Sequence, residues 1–218
     1  MFPYHELNIT PRTLLGPGPS SVHPRVLQAL AYPLVGHLDP QFLALMNRVQ
    51  GLLRYVFETE NELTIALPGT GTAGMEAALA NFIQPGDHVL IGVNGYFSER
   101  MCDIAGRYGA IVHRLERAWG QVFSLEEIEA ALQKQPAKIA CLVHAETSTG
   151  ALQPLNGVAD LVHRYGGLLL VDCVTSLGGL PVSVDACGID IAYSCTQKCI
   201  GSPPGLAPIT NGPRALDA

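Results

Sequence analysis

From residue 63 onward, short apolar and β-branched runs alternate with helix-length amphipathic segments. The runs Leu63–Leu67, His88–Val93, Ala110–Glu116, Lys138–His144, Leu168–Val171, Ile189–Ser194 and Leu206–Thr210 predict seven strands. Several are apolar throughout, as in strands buried on both faces. The intervening segments carry helix signals. Ser124 with Glu127 three residues later forms a capping box ahead of Ile128 and Leu132. Pro154 sits just before the segment carrying Leu161 and Val162, and Gly166 ends it. Strand–helix alternation of this kind predicts an α/β fold in three layers, a mostly parallel seven-stranded sheet with helices on both faces. Residues 1–60 read as an N-terminal arm with helices. Leu14–Ser20 alternates Gly with Pro and must be a loop, a helix starts at His23-Pro24, and a longer one covers Pro40 to Phe57. Neither a repeat nor a low-complexity linker divides residues 61–218, which read as one large domain.

Composition supports a packed globular chain: 48% of the 218 residues are hydrophobic and only 15% are charged. A net charge of −6 with scattered basic residues argues against a nucleic-acid partner, because no basic stripe meets the phosphates. No apolar run approaches the ~18 residues of a membrane span. Met1–Glu6 lacks the basic-then-apolar pattern of a secretory leader, and Leu216-Asp217-Ala218 matches no peroxisomal tag. The six cysteines (102, 141, 173, 187, 195, 199) show neither CxxC nor metal-ligand spacing. They read as reduced, mostly buried thiols. The expectation is a soluble cytoplasmic protein without a metal.

Ligands of parallel sheets sit at the carboxyl ends of the strands, so the residues following each strand should converge on one pocket. After the first strand comes Gly69-Thr70-Gly71-Thr72-Ala73-Gly74, opening a helix. Free N–H groups at a helix start beside two hydroxyls make a phosphate site, although a plain N-cap turn has the same look. The hexamer also fits the dinucleotide fingerprint. That reading needs an acid at the end of the next strand, which here ends Val93-Asn94, while Asp87 lies at the opposite edge. No Lys-Ser or Lys-Thr follows the glycines, so a Walker motif fails.

Asp172 ends an apolar run and needs a cationic partner if buried, whether an arginine or a pyridinium nitrogen. Lys198 is the only charged residue from Ile191 through Pro213. Desolvation there favours the neutral amine that an imine-forming lysine requires. Phe97, three residues after Asn94, is placed either to cover a cofactor ring or to pack in the core. His144 and His163, inside a strand and a helix, read as structural.

These stretches resemble the class V aminotransferases of the pyridoxal phosphate (PLP) fold type I superfamily, the branch of the alanine–glyoxylate, serine–pyruvate and serine–glyoxylate enzymes. The resemblance rests on Leu14–Ser20, the Gly69–Thr72 turn, His144–Gly150, Leu169–Gly179, and Gln197-Lys198 followed by Pro203-Pro204-Gly205. It implies that Lys198 carries PLP as a Schiff base and shuttles the proton, and that Asp172 faces the pyridine nitrogen. Thr70, Gly71, Thr72 and Gln197 would hold the phosphate, and Thr147 would lie beside the ring hydroxyl. Phe97 falls where many relatives stack a tryptophan, and Thr72 where some carry a histidine. The implied reaction is ping-pong transfer of an amino group from alanine or serine to glyoxylate or pyruvate, in a homodimer. Family members run to about 1.7 times this length. The resemblance therefore implies that a C-terminal small domain, with the arginine that clamps the substrate carboxylate, lies outside the chain. The chain alone is expected to be poorly soluble or inactive, which turnover of alanine or serine with glyoxylate would overturn. Three other readings stay open: a cysteine desulfurase, weakened by Gln197 and Phe97 where those enzymes place histidines; an NAD-dependent oxidoreductase; and a truncated homologue without turnover.

Overall fold

The computed structural model describes residues 7–218, so Met1–Glu6, read above for a leader, lies outside the described residues. The strands are β1 (Leu63–Gly69), β2 (His88–Val93), β3 (Ile111–Glu116), β4 (Ile139–Val143), β5 (Leu168–Asp172), β6 (Ile191–Tyr193) and β7 (Gly205–Asn211). They form one sheet in the order β1-β7-β6-β5-β4-β2-β3. Strands β2 to β6 pair in parallel, whereas β7 runs antiparallel to both neighbours, β1 and β6. All seven expected strands are present, with ends shifted by one or two residues.

The uninterrupted apolar runs resolve into two alternating faces, as the two-residue period of a strand requires. Val89, Ile91, Ile139, Cys141, Leu170 and Ile191 face one helical layer, with Met75 and Leu79 of α3 (Gly71–Ala80) and Met101 and Ala105 of α4 (Tyr96–Arg107). Leu90, Ala140, Leu142, Leu169, Val171 and Ala192 face the other, with Ile128 and Leu132 of α5 (Leu125–Lys134) and Leu161 and Val162 of α6 (Val158–Arg164). The three-layer expectation is met, and each layer buries an apolar face worth roughly 25 cal/mol per Å².

Local signals account for most helix ends. The Ser124 hydroxyl accepts from the Glu127 N–H while the Glu127 carboxylate accepts from the Ser124 N–H, closing the capping box of α5. Asp39 caps α2 (Pro40–Phe57) by accepting from the Gln41 N–H at 2.8 Å, and His23 caps the short α1 (Pro24–Ala29). Helix α6 starts later than its proline suggests. Gly157, at φ +78°, turns the chain first, and Val158 opens the helix.

Helix α2 is seated by Phe57, which is fully buried, but Leu43, Leu45, Leu52 and Tyr55 along it are exposed. So are Leu34 and Leu38 ahead of it, leaving this arm with an apolar surface. Among the described residues no helix is long and apolar enough to cross a membrane. Cys102, Cys141, Cys173 and Cys195 are buried, Cys187 is half-buried and Cys199 is exposed; none is in a disulfide. Burial pushes the Cys102 thiol up to about 11, so it stays protonated.

Candidate active site at the carboxyl edge of the sheet

A cleft of about 190 Å³ opens at the carboxyl ends of β1 and β5. Thr70, Gly71, Thr72, Phe97, Asp172, Gln197 and Lys198 all line it, brought there by the end of β5, the first turns of α3 and α4, and the turns after β1 and β6. The turn after β1 supplies the polar floor. Gly69 takes φ +138° and Thr70 becomes the N-cap of α3, yet its hydroxyl makes no capping bond. The N–H groups of the first helical turn have no acceptor within the helix. An extra methyl on Gly71 would stand 3.0 Å from Val174 Cγ2, so a glycine keeps the backbone open here.

Asp172 is only 2% exposed. Its Oδ1 accepts from the Val174 N–H at 2.8 Å and its Oδ2 from the Tyr193 hydroxyl at 2.6 Å. Burial pushes its pKa up to about 6, against the opposing pull of those two donors. Tyr193 was missed from sequence, although it ends β6 in register with Asp172. Replacing Tyr193 by Phe removes the hydroxyl that favours the ionised carboxylate. The expected result is a further rise of the Asp172 pKa. An upward shift of the Asp172 carboxyl titration, followed by NMR, checks it, and an unmoved titration refutes it.

Lys198 departs from expectation. It is half-buried in a turn, not sunk in an apolar core, and its Nζ donates to the Pro17 carbonyl at 2.5 Å. The N-terminal Gly-Pro loop is what covers it. The Ser20 N–H donates to the Gln197 carbonyl and the Ser20 hydroxyl to the Lys198 carbonyl, strapping residues 17–20 across the lysine. Gly18 takes φ +120°, and an added Cβ would lie 2.7 Å from Lys198 Cδ. Gly18→Ala is therefore expected to cost roughly 1–3 kcal/mol and to displace the amine. Thermal melts, with the rate at which the chain forms an imine with an aldehyde, check this; an unchanged rate refutes it.

Not every residue placed after a strand turns inward. The Asn94 amide donates to the Gln121 carbonyl, away from the cleft, and no acid ends β2 to bind a ribose. Glu146, buried, turns back to the start of α4. Its carboxylate accepts from the N–H groups of Phe97, Ser98 and Ser148 and from the Ser148 hydroxyl. A negative group at a helix N-terminus is held there by free donors and the helix dipole. Thr147 is hydrogen-bonded to the hydroxyl of Thr175 and is not among the residues lining the cleft. His144 bonds Ser176 Oγ and His163 bonds Asp190, both structural contacts as read from sequence. Arg100 also lines the cleft and was missed. Its signal was helical spacing, since it follows Phe97 by three residues on α4 and shares its face.

Residues 15–212 match the family model for class-V aminotransferases. Alanine–glyoxylate aminotransferase from Mus musculus is 44% identical over 209 residues, which are 96% of this chain and 50% of that protein. The solved alanine–glyoxylate aminotransferase from Nostoc sp. superposes with a TM-score of 0.98 at 58% identity, over 99% of this chain and 57% of that one. Ureidoglycine–glyoxylate aminotransferase from Bacillus subtilis gives a TM-score of 0.96 at 44% identity, over 98% of this chain and 55% of that one. The chain thus spans about half the length of the curated relatives it matches. With the fold, the motif order and the cleft in agreement, the chain belongs to the class-V aminotransferase family.

Proposed function

We propose that the protein uses pyridoxal phosphate to transfer an amino group from a small amino acid, alanine or serine, to glyoxylate or pyruvate. The observation that carries this reading is the meeting of a lysine amine and a buried carboxylate in one cleft beside a helix start with open N–H groups. Glyoxylate is the acceptor named in relatives whose amino donors differ, alanine in one and ureidoglycine in another, which favours it over pyruvate.

The residues fit the cofactor. Thr70 keeps its hydroxyl free of capping, and the Gln197 amide, whose buried Oε1 has no hydrogen-bond partner among the described residues, is free to turn and present its NH2 donors to an anion. Thr70, Gly71, Thr72 and Gln197 would hold the phosphate and Phe97 would pack against one ring face, while Thr147, now bonded to Thr175 and not lining the cleft, would have to turn inward to reach the ring hydroxyl. Bound, the group acts as an electron sink for charge developing at the substrate Cα. Asp172 supplies the counter-charge to a protonated ring nitrogen, held in position by Tyr193 and the Val174 N–H. Lys198 would hold the cofactor through its Nζ, which now donates to the Pro17 carbonyl, and the same amine would be the group placed to move a proton at the substrate Cα. The strap over residues 17–20 would cover one side of that amine.

Residues 61–218 are read as the cofactor-binding unit behind an arm over 1–60. The whole enzyme is read as a cytoplasmic homodimer, with the apolar arm as one contact surface. The test is direct. The chain with added PLP is expected to show the visible absorption of a protonated Schiff base, and borohydride is expected to fix the cofactor on Lys198. Labelling elsewhere, or none with the protein folded, sinks the proposal. Turnover with alanine or serine and glyoxylate, against pyruvate, then assigns the substrates.

A further inference from the structure

Arg100 is a cation with no acid assigned to it. Among the described residues it forms no ion pair with an Asp or Glu, although Glu99 beside it is paired to Arg114. Instead, its Nη1 donates to Thr72 Oγ1 at 2.7 Å and its Nη2 to the Tyr96 hydroxyl at 3.1 Å. The guanidinium also lies 5.0 Å from the Tyr96 ring centre and 5.3 Å from that of Phe97. These contacts aim a fixed positive charge at the end of the cleft where Thr70 and Gly71 present open donors. A half-buried guanidinium lining a cleft and held only by neutral partners is set for an incoming anion, and planar arginine donors suit phosphate oxygens.

Resting on the cofactor reading above, we propose that Arg100 is a positioning residue for the phosphate end. It orients the Thr72 hydroxyl and adds the charge that makes the site prefer a phosphorylated pyridoxal to the unphosphorylated aldehyde. Thr72 is central to this. Its short hydroxyl is one that Arg100 reaches directly. The competing account is that Arg100 only staples α3 to α4, through Thr72 on one and Tyr96 on the other. A staple has no reason to sense whether the ligand carries a phosphate.

The two accounts separate in a binding experiment on the full chain. Dissociation constants for PLP and for pyridoxal are measured by absorbance titration for wild type, Arg100→Gln and Arg100→Lys, without substrates. Losing a charged hydrogen-bonding partner is expected to weaken PLP by roughly ten- to hundredfold while leaving pyridoxal nearly unchanged. Arg100→Lys keeps the charge without the planar fork, and is expected to recover part of the loss. Inorganic phosphate is expected to compete with pyridoxal phosphate less well in Arg100→Gln than in wild type. Equal weakening of both aldehydes, or of neither, overturns the proposal. If wild type binds neither aldehyde at Lys198, the cofactor reading fails and takes this inference with it.

Discussion

Without cofactor at pH 8, Asp172→Asn is expected to be more stable than wild type, while binding PLP far more weakly. The carboxyl titrates near 6 in the folded chain and near 3.8 when unfolded, so between those values the folded state holds the proton more tightly. Stability from this group is complete below the unfolded pKa and falls as pH rises through about 6, by at most about 3 kcal/mol. An asparagine escapes that cost. It can keep both contacts, its Oδ1 accepting from the Val174 N–H and its Nδ2 donating to the Tyr193 hydroxyl, which rotates to accept. The gain should therefore vanish at pH 4. With cofactor the sign reverses. On the proposed reading a cation would sit against the carboxylate, and removing one member of a buried pair costs about 3–5 kcal/mol. That corresponds to roughly a hundred- to several-thousandfold in affinity for PLP. Urea melts at pH 4 and 8, with a PLP titration, measure both. A variant less stable than wild type at pH 8 would show that the carboxylate is not strained in the free protein.

The second large effect belongs to Lys198. If Lys198 has the two roles proposed for it, Lys198→Ala is expected to abolish borohydride labelling and to lower transamination by the whole enzyme roughly 10⁴-fold or more, since tether and proton carrier would be lost together. Lys198→Arg is the sharper control. It keeps a positive charge able to reach the Pro17 carbonyl, yet cannot form an imine, so it should be equally inactive while melting like wild type. Activity in the arginine variant would mean that Lys198 acts only as a charge.

The fold was legible because its signals are local and periodic. Uninterrupted apolar runs, the Ser124–Glu127 box and the Pro40 helix start each state their structure within a few residues. Thr70, Asp172 and Lys198 were legible for a related reason, as polar residues out of place at strand ends. What stayed hidden depends on pairing and side-chain direction. Tyr193 is an apolar-looking strand residue until register sets it against Asp172. Arg100 looks like a solvated helix residue until α4 packs beside α3. Glu146 follows β4, at the sheet edge where ligand-facing residues are expected, but two backbone donors at the N-terminus of α4 and the Ser148 N–H claim it. The burial of Lys198 was overread because its cover comes from residues 17–20, about 180 positions away in the chain.

The reversed strand β7 has a consequence for synthesis. It stands between β1 and β6, so β1, made first, has no place in the sheet until β7 has been made. On a ribosome the parallel block from β2 to β6 can assemble as it emerges, while the segment bearing Thr70–Thr72 waits for a partner about 140 residues downstream. The loop carrying Lys198 is pinned at its far end by the same strand. Both halves of the cleft are thus locked in one late step, and capture of the cofactor belongs after residue 211 has left the exit tunnel.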